Sequence, residues 1–375
     1  MSTKVLHIQS KNRTPAATVA NLQDFDCIEG ETIDPKTIIE NPNISLYCLD
    51  PQNQRAIFVE TPLEIELSQA PFFYQAQYEH AQRLIAVPLE DLPQLAAALE
   101  EPIEQLVMIY SVGRCGSTLL SKVFNQLETV LSLSEPDVLS QIVGLRNPDG
   151  SNDNEITQLL KICIYLLGKP TVKGKPSCCT LKLRSFCIEL GDLIHQAFPD
   201  AKAVFLYRNA EDVVKSSIPA FVYLSKMLPT IAQNIDLYSR FIPLLKDYST
   251  SIDFTDSTGI DLYTTAWLSV MQRYMSLQQQ GISTCAIRYE DLVANPQQIV
   301  TSIFEYCGLP IADVSQVCQV FAKDSQRGSN LSKENLSNNE IEIPDILEIR
   351  KKVDKLLKKH PQIKTPDFVV ASTLS

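Results

Sequence analysis

Beyond residue 103 the chain alternates short apolar runs with longer stretches of helical periodicity. QLVMIYS leads through a glycine-containing loop into STLLSKVFNQL, and TLKL, AVFLYR and TCAIRY each run on into helical sequence. Strands that alternate with helices predict a parallel sheet, because parallel neighbours need a long crossover. The expected fold is therefore α/β, a three-layer sandwich around a central parallel sheet. Residues 40 to 90 have a different pattern: ISLYCL and AIFVE flank DPQNQR, whose Asp-Pro start and polar body predict a hairpin. The segment APFFYQAQYEHAQRLIAVPL brings Phe72, Phe73, Tyr74 and Tyr78 close together, a density that suits a core, with a binding surface as the alternative. In IPDILEIRKKVDKLLKKHP, Ile346, Ile349, Val353 and Leu356 recur at helical spacing between Pro344 and Pro361, which predicts a terminal amphipathic helix. Residues 325–340 are polar and aperiodic, as a solvated linker or a ligand-clamping loop would be. The expected organisation is a small α+β module over residues 1–102, an α/β domain over 103–335, and a helix with its tail over 336–375.

The 375 residues are enough for two to three domains, and 45% hydrophobic with 21% charged residues is an ordinary globular composition. No apolar run reaches the length of a membrane-spanning helix, and the N-terminus develops no signal-peptide core, so a cytoplasmic protein is expected. The ten cysteines are scattered, partly inside apolar runs such as KICIYLL, and read as buried thiols. The four histidines are dispersed, so no metal site is expected. Of the net charge of -11, residues 1–102 carry -9. That balance offers no basic footprint for nucleic acid or an anionic membrane, so a polyanionic ligand must be held by a local cluster.

The segment VMIYSVGRCGSTLLSKVF, residues 107–124, supplies one: an apolar strand, the loop SVGRCGST, then a helix with Leu119, Leu120, Val123 and Phe124 toward the sheet. Backbone N–H groups from Cys115 through Gly116, Ser117 and Thr118 to Leu119 open the helix, where the macrodipole favours an anion. The Walker pattern is absent: Ser117 follows Gly116, and the cation stands earlier, as Arg114.

SVGRCGSTLL resembles the 5'-phosphosulfate loop of sulfotransferases that use 3'-phosphoadenylyl sulfate (PAPS). AKAVFLYRNAEDVVKSS, residues 201–217, resembles the same family's 3'-phosphate motif, with Arg208 at the strand end and Ser216 eight positions on, and with Ala210 where the family commonly has proline. TCAIRYEDLVANPQQIVTSIFEYCGLP, residues 284–310, is similar to the family's Tyr-Glu-Asp-Leu strand end and following helix. There Tyr289 maps to an adenine contact, while Glu290 and Asp291 are expected only to anchor the strand end and cap the helix. The resemblance implies the P-loop NTPase-like sulfotransferase fold, PAPS as co-substrate, adenosine 3',5'-bisphosphate (PAP) as product, and no metal. It also implies a hydroxyl acceptor whose identity the pattern leaves open, as it does the oligomeric state.

For catalysis, residues 115–194 lack the histidine base of the family's cytosolic branch, and His195 reads as structural. Glu135, in LSLSEPDVLSQ, lies at about the position of the base in tyrosylprotein-type members. It is the candidate for taking the acceptor proton, with helix-start charge as the bland alternative and Asp137 as a substitute. Arg114 and Lys182, with Arg184 behind them, are candidates for supporting charge on the transferring group. Ser325 and Arg327, in KDSQRGSNLS, resemble a closing loop over the donor. The readings kept open beside this one are a P-loop kinase or hydrolase and a non-catalytic nucleotide binder.

Overall fold

In a computed structural model, described here over residues 2–13, 18–99, 103–311, 314–337 and 343–374, the N-terminal segment forms a five-stranded antiparallel sheet. Its strands are β1 (Lys4–Lys11), β2 (Phe25–Thr32), β3 (Ile44–Asp50), β4 (Arg55–Glu60) and β5 (Arg83–Pro88), in the order β2-β1-β5-β4-β3. DPQNQR makes the β3–β4 turn: Asp50 accepts from Asn53 and pairs with Arg55 at 3.0 Å. These partners outweigh burial and hold the Asp50 carboxyl below its ordinary range. Phe72, Phe73 and Tyr74 are buried, so the aromatic segment fills a core; the same segment also yields β5.

The second sheet holds β6 (Gln105–Ser111), β7 (Val130–Ser134), β8 (Cys178–Lys182), β9 (Lys202–Tyr207) and β10 (Thr284–Arg288), in the order β10-β9-β6-β8-β7. It is the expected parallel sheet in a mixed α/β architecture, with β7 beside β8 and β9 beside β10 in parallel register. The chain folds as two compact units, one of residues 1–107, 124–183 and 193–201, the other of residues 108–123, 184–192 and 202–375. Both are discontinuous in sequence. The cause in the first unit is that helices Asp137–Leu145 and Asp153–Leu167 pack against β3, drawing residues 124–183 onto the N-terminal sheet.

In the second unit, helix Ile260–Gln279 packs against helices Ala210–Ala220 and Ile346–Leu357. The terminal helix appears where its periodicity placed it, burying Ile349, Val353 and Leu356. Ile346 differs from expectation: as the first helical residue it stands 39% exposed. The tail bonds to β10 through Ala286 N–H to Ser372 O and Leu374 N–H to Ala286 O, covering a strand edge that would otherwise invite foreign pairing. None of the ten cysteines is in a disulfide, and eight are buried. Among the described residues no helix is long and apolar enough to cross a membrane.

Candidate functional site

β6 ends at Ser111, and the chain turns through Gly113, Arg114 and Gly116, all at positive φ, before helix Ser117–Phe124 begins. Gly113 and Gly116 meet this demand without a Cβ; Arg114, at φ 53°, adopts it as a non-glycine, a conformation that costs about 1 kcal/mol and persists where surroundings fix it. The fixing contacts are visible. Arg114 Nε donates to Ser216 Oγ at 3.0 Å and Nη1 to Gln326 Oε1 at 3.0 Å. Cys115 is buried with its thiol toward the Leu206 carbonyl, 3.4 Å away, so its side chain faces β9 and only its backbone is offered to a ligand. Ser117 and Thr118 are buried, with Ser111 Oγ 3.2 Å from Ser117 Oγ. Leu120, Val123 and Phe124 reach the core, whereas Leu119 is only half-buried.

Arg208 follows β9 directly, and its carbonyl accepts from the indole of the buried Trp267 at 3.1 Å. Its guanidinium lies over the Tyr289 ring, 4.6 Å from the centroid, and touches the Arg114 carbonyl at 3.5 Å and Asp212 at 3.2 Å. The same Tyr289 ring closes on the loop: a Cβ on Gly116 would come within 2.8 Å of it. Arg114, Gly116, Arg208, Ser216 and Tyr289, from three motifs far apart in sequence, thus meet around one place in the second unit. Asn209 caps helix Ala210–Ala220 by accepting from Glu211 N–H, and Glu290 accepts from Asn209 N–H at 3.3 Å, so Glu290 anchors a strand end as expected. Ala210 gains a physical reason: its N–H donates to Pro366 O at 2.8 Å, a bond that proline could not make.

Of the polar segment 325–340, residues 338–340 lie outside the described residues; the rest is held in turns after Asp324 and runs into the short helix Lys333–Ser337. Asp324 accepts from the N–H groups of Gln326 and Lys333, at 3.0 and 2.9 Å. Burial opposes its charge, but these bonds and nearby lysines outweigh it and hold the Asp324 carboxyl below its ordinary range. Burial likewise draws Lys122 below its ordinary range, against the pull of Asp324. The side chain that reaches Arg114 is Gln326, between the two expected residues; Arg327 is exposed and Ser325 half-buried. Nothing in the local sequence singles out this amide.

In the first unit, Glu135 and Lys182 stand at the carboxyl ends of neighbouring β7 and β8, with Ser134 in register with Lys182. They form an ion pair, and Glu135 N–H donates to Lys182 O at 2.6 Å. Their side chains are 14% and 5% exposed, and Glu135 sits at φ 59°. Lys182 Nζ also lies 5.7 Å from the Phe72 ring centroid. Beneath them on the two strands, the buried hydroxyls of Ser134 and Thr180 have no hydrogen-bond partner among the described residues. Asp137, the alternative to Glu135, is buried at the start of its helix and accepts from Ala20 N–H at 2.8 Å, so it serves as an anchor. Arg184 precedes the 3-10 turn Ser185–Leu190, and His195 lies half-buried in helix Gly191–Ala197. The first unit also contains a cavity of about 390 Å³ lined by Leu63, Ile65, Leu131 and Leu133 with Asn43 and Lys169. Burial draws Lys169 down to about 7, while its ammonium bonds the carbonyls of Ile38 and Asn41.

Residues 182–313 match the family model described as "Sulfotransferase family". The matched stretch is about a third of the chain. The match begins at Lys182 and takes in Arg208, Ser216 and Tyr289. A search of curated proteins finds no match to the chain. Among solved structures, the chain is similar to the sulfotransferase domain from the curacin biosynthetic pathway, at 14% identity over 72% of this chain and 95% of that one, with a TM-score of 0.37. It is also similar to a sulfotransferase from Mycobacterium avium, at 11% over 74% and 81% with a TM-score of 0.42. A mouse sulfotransferase complexed with PAP matches at 13% over 73% and 91%, with a TM-score of 0.37.

Glycine at 116 is required twice, by its φ of 82° and by the Tyr289 ring. Gly116→Ala is expected to push that ring aside and to weaken anion binding about 10-fold or more, at a stability loss of about 1–2 kcal/mol. Titration with PAP and urea unfolding of the same variant check both figures.

Proposed function

We propose that the protein transfers the sulfuryl group of PAPS to a hydroxyl acceptor. The observation that carries this reading is the meeting of Arg114, held to Ser216, with Arg208 over Tyr289 beside a glycine loop at a helix start. Arg208 Nε is buried with no hydrogen-bond partner among the described residues. A buried unpaired donor is unfavourable by about 1–3 kcal/mol, and a phosphate oxygen would satisfy it. In this reading Arg208 and Ser216 hold the 3'-phosphate, and Tyr289 faces the adenine. The N–H groups of Cys115 to Leu119, with Arg114, hold the 5'-phosphosulfate, and the turn carrying Ser325, Gln326 and Arg327 closes over it. Glu135 takes the proton of the acceptor hydroxyl as its oxygen bonds to sulfur. The bond from sulfur to the bridging oxygen of the 5'-phosphate breaks, and PAP leaves with that electron pair. Lys182 and Arg114 support the charge that gathers on the sulfuryl and bridging oxygens. A cytoplasmic setting, without metal or nucleic-acid partner, belongs to the same reading.

Calorimetric titration of the full chain tests it. Binding of PAP in preference to ATP is expected, since the loop lacks the lysine that a P-loop uses on a triphosphate. Folded protein that takes ATP and ignores PAP would overturn it in favour of a kinase or hydrolase.

A further inference from the structure

Glu135 has an unusual support. Its left-handed backbone is followed by Pro136 and then by Asp137, the first residue of helix Asp137–Leu145. Asp137 is 1% exposed, and its Oδ2 accepts from Arg13 Nη2 at 3.2 Å and from Ala20 N–H at 2.8 Å. Arg13 is itself 2% exposed. Its Nη1 donates to Tyr47 Oη at 2.9 Å and contacts Asp24 Oδ2 at 3.4 Å, while the guanidinium lies 4.5 Å from the Tyr74 ring centroid. Tyr47 in turn donates to Asp24 at 2.5 Å. Burial opposes the Arg13 charge, but Tyr47, Asp137, Asp24 and Tyr74 outweigh it and hold the guanidinium protonated.

One turn further along the helix, Gln141 grips the backbone of β3 with both ends of its amide. Its Oε1 accepts from Leu49 N–H at 2.6 Å and its Nε2 donates to Leu49 O at 3.1 Å. Glu135's partner Lys182 lies against Phe72, from the same N-terminal segment. A buried ion network of this kind is weak evidence for added stability, because desolvation offsets the attraction. It does fix geometry, and a non-glycine residue held at positive φ needs fixing.

We propose that the N-terminal module positions Glu135, with Arg13, acting through Asp137, as the residue that holds the turn on which Glu135 stands. The proposal rests on the reading of Glu135 as the base, and it gives residues 1–102 a catalytic purpose without contact with either substrate. Arg13 is a positioning residue: its planar fork bridges Asp137 on one side and Tyr47 with Asp24 on the other, which a lysine cannot do at once.

The test is a double-mutant cycle in the full chain, reading PAP release from PAPS with 4-nitrophenol, or water in its place, as the hydroxyl. Arg13→Ala is expected to lower kcat about 100-fold, the scale of a misplaced catalytic group, with KM for PAPS and calorimetric PAP binding unchanged. In a Glu135→Gln background the same substitution should change the residual rate less than about 2-fold, since the group it positions is already gone. Arg13→Lys, which keeps the buried charge, carries the same cycle should the alanine variant fail to fold. Crystal structures of the parent and the variant give a second readout: the Glu135–Lys182 pair should be broken in the variant alone. Equal losses in both backgrounds, no loss at all, or an unmoved Glu135 turn would overturn the proposal. Full turnover by Glu135→Gln itself would instead overturn the base assignment, and the two failures are thereby told apart.

Discussion

Replacing Arg208 by alanine is expected to weaken PAP binding at least about 100-fold while leaving the chain folded. Charge-assisted hydrogen bonds from a guanidinium contribute about 1.5–3 kcal/mol each, so losing two of them amounts to two decades or more in Kd. The stacking of Arg208 on Tyr289 disappears with the side chain, which loosens the surface that the proposed function assigns to adenine. Stability should change by only about 1 kcal/mol, because the ion pair with Asp212 is partly exposed and the Trp267 bond runs to the Arg208 carbonyl, which alanine retains. Calorimetry with PAP and a urea melt of the same preparation check the two halves. Unchanged PAP affinity would remove Arg208 from the donor site. Ser216→Ala should be milder, about 10-fold or less, since a neutral hydroxyl contributes less than a charged fork.

How far the sequence reveals this site depends on how local its parts are. The loop at Arg114, the strand end at Arg208 and the hydroxyl of Ser216 belong to strand-loop-helix segments whose own periodicity announces them, so their meeting follows once the sheet is parallel. Gln326 reaches Arg114 across more than 200 positions from an aperiodic polar stretch, and its amide resembles every other amide there. Strand β7 is hidden for a related reason. Its alternation of valine or leucine with Ser132 and Ser134 suggests one wet face, yet all five residues are buried. Arg13, Phe72 and Gln141 are the least legible. Each acts on a partner far along the chain, and the two charges buried together at Arg13 and Asp137 look like ordinary surface residues until the fold pairs them. Composition places most of the acidity in residues 1–102 but says nothing of the side-chain contacts that tie that segment to the turn at Glu135.

Glu135→Gln is expected to lower turnover about 100-fold to 10,000-fold, the range of a general base, while PAP affinity stays within about 2-fold. The two effects separate because the proposed donor contacts Arg114, Ser216, Arg208 and Tyr289 all lie in the second compact unit, whereas Glu135 and Lys182 lie in the first. The amide is isosteric and can still accept from Lys182, so the exchange removes proton acceptance and one charge with little change of shape. The loss should fall on kcat rather than on KM for PAPS, since an interaction formed only as the proton moves lowers kcat and kcat/KM together. Lys182→Met then distinguishes the roles within the pair. If Lys182 only orients Glu135, combining the two substitutions should be no worse than Glu135→Gln alone. If it also supports charge on the sulfuryl oxygens, the double variant should lose a further factor of about 10 or more. Turnover by Glu135→Gln at the parental rate would take the carboxylate out of the mechanism. The test would then pass to Asp137, whose Oδ2 is engaged by Ala20 and Arg13 in the buried start of its helix.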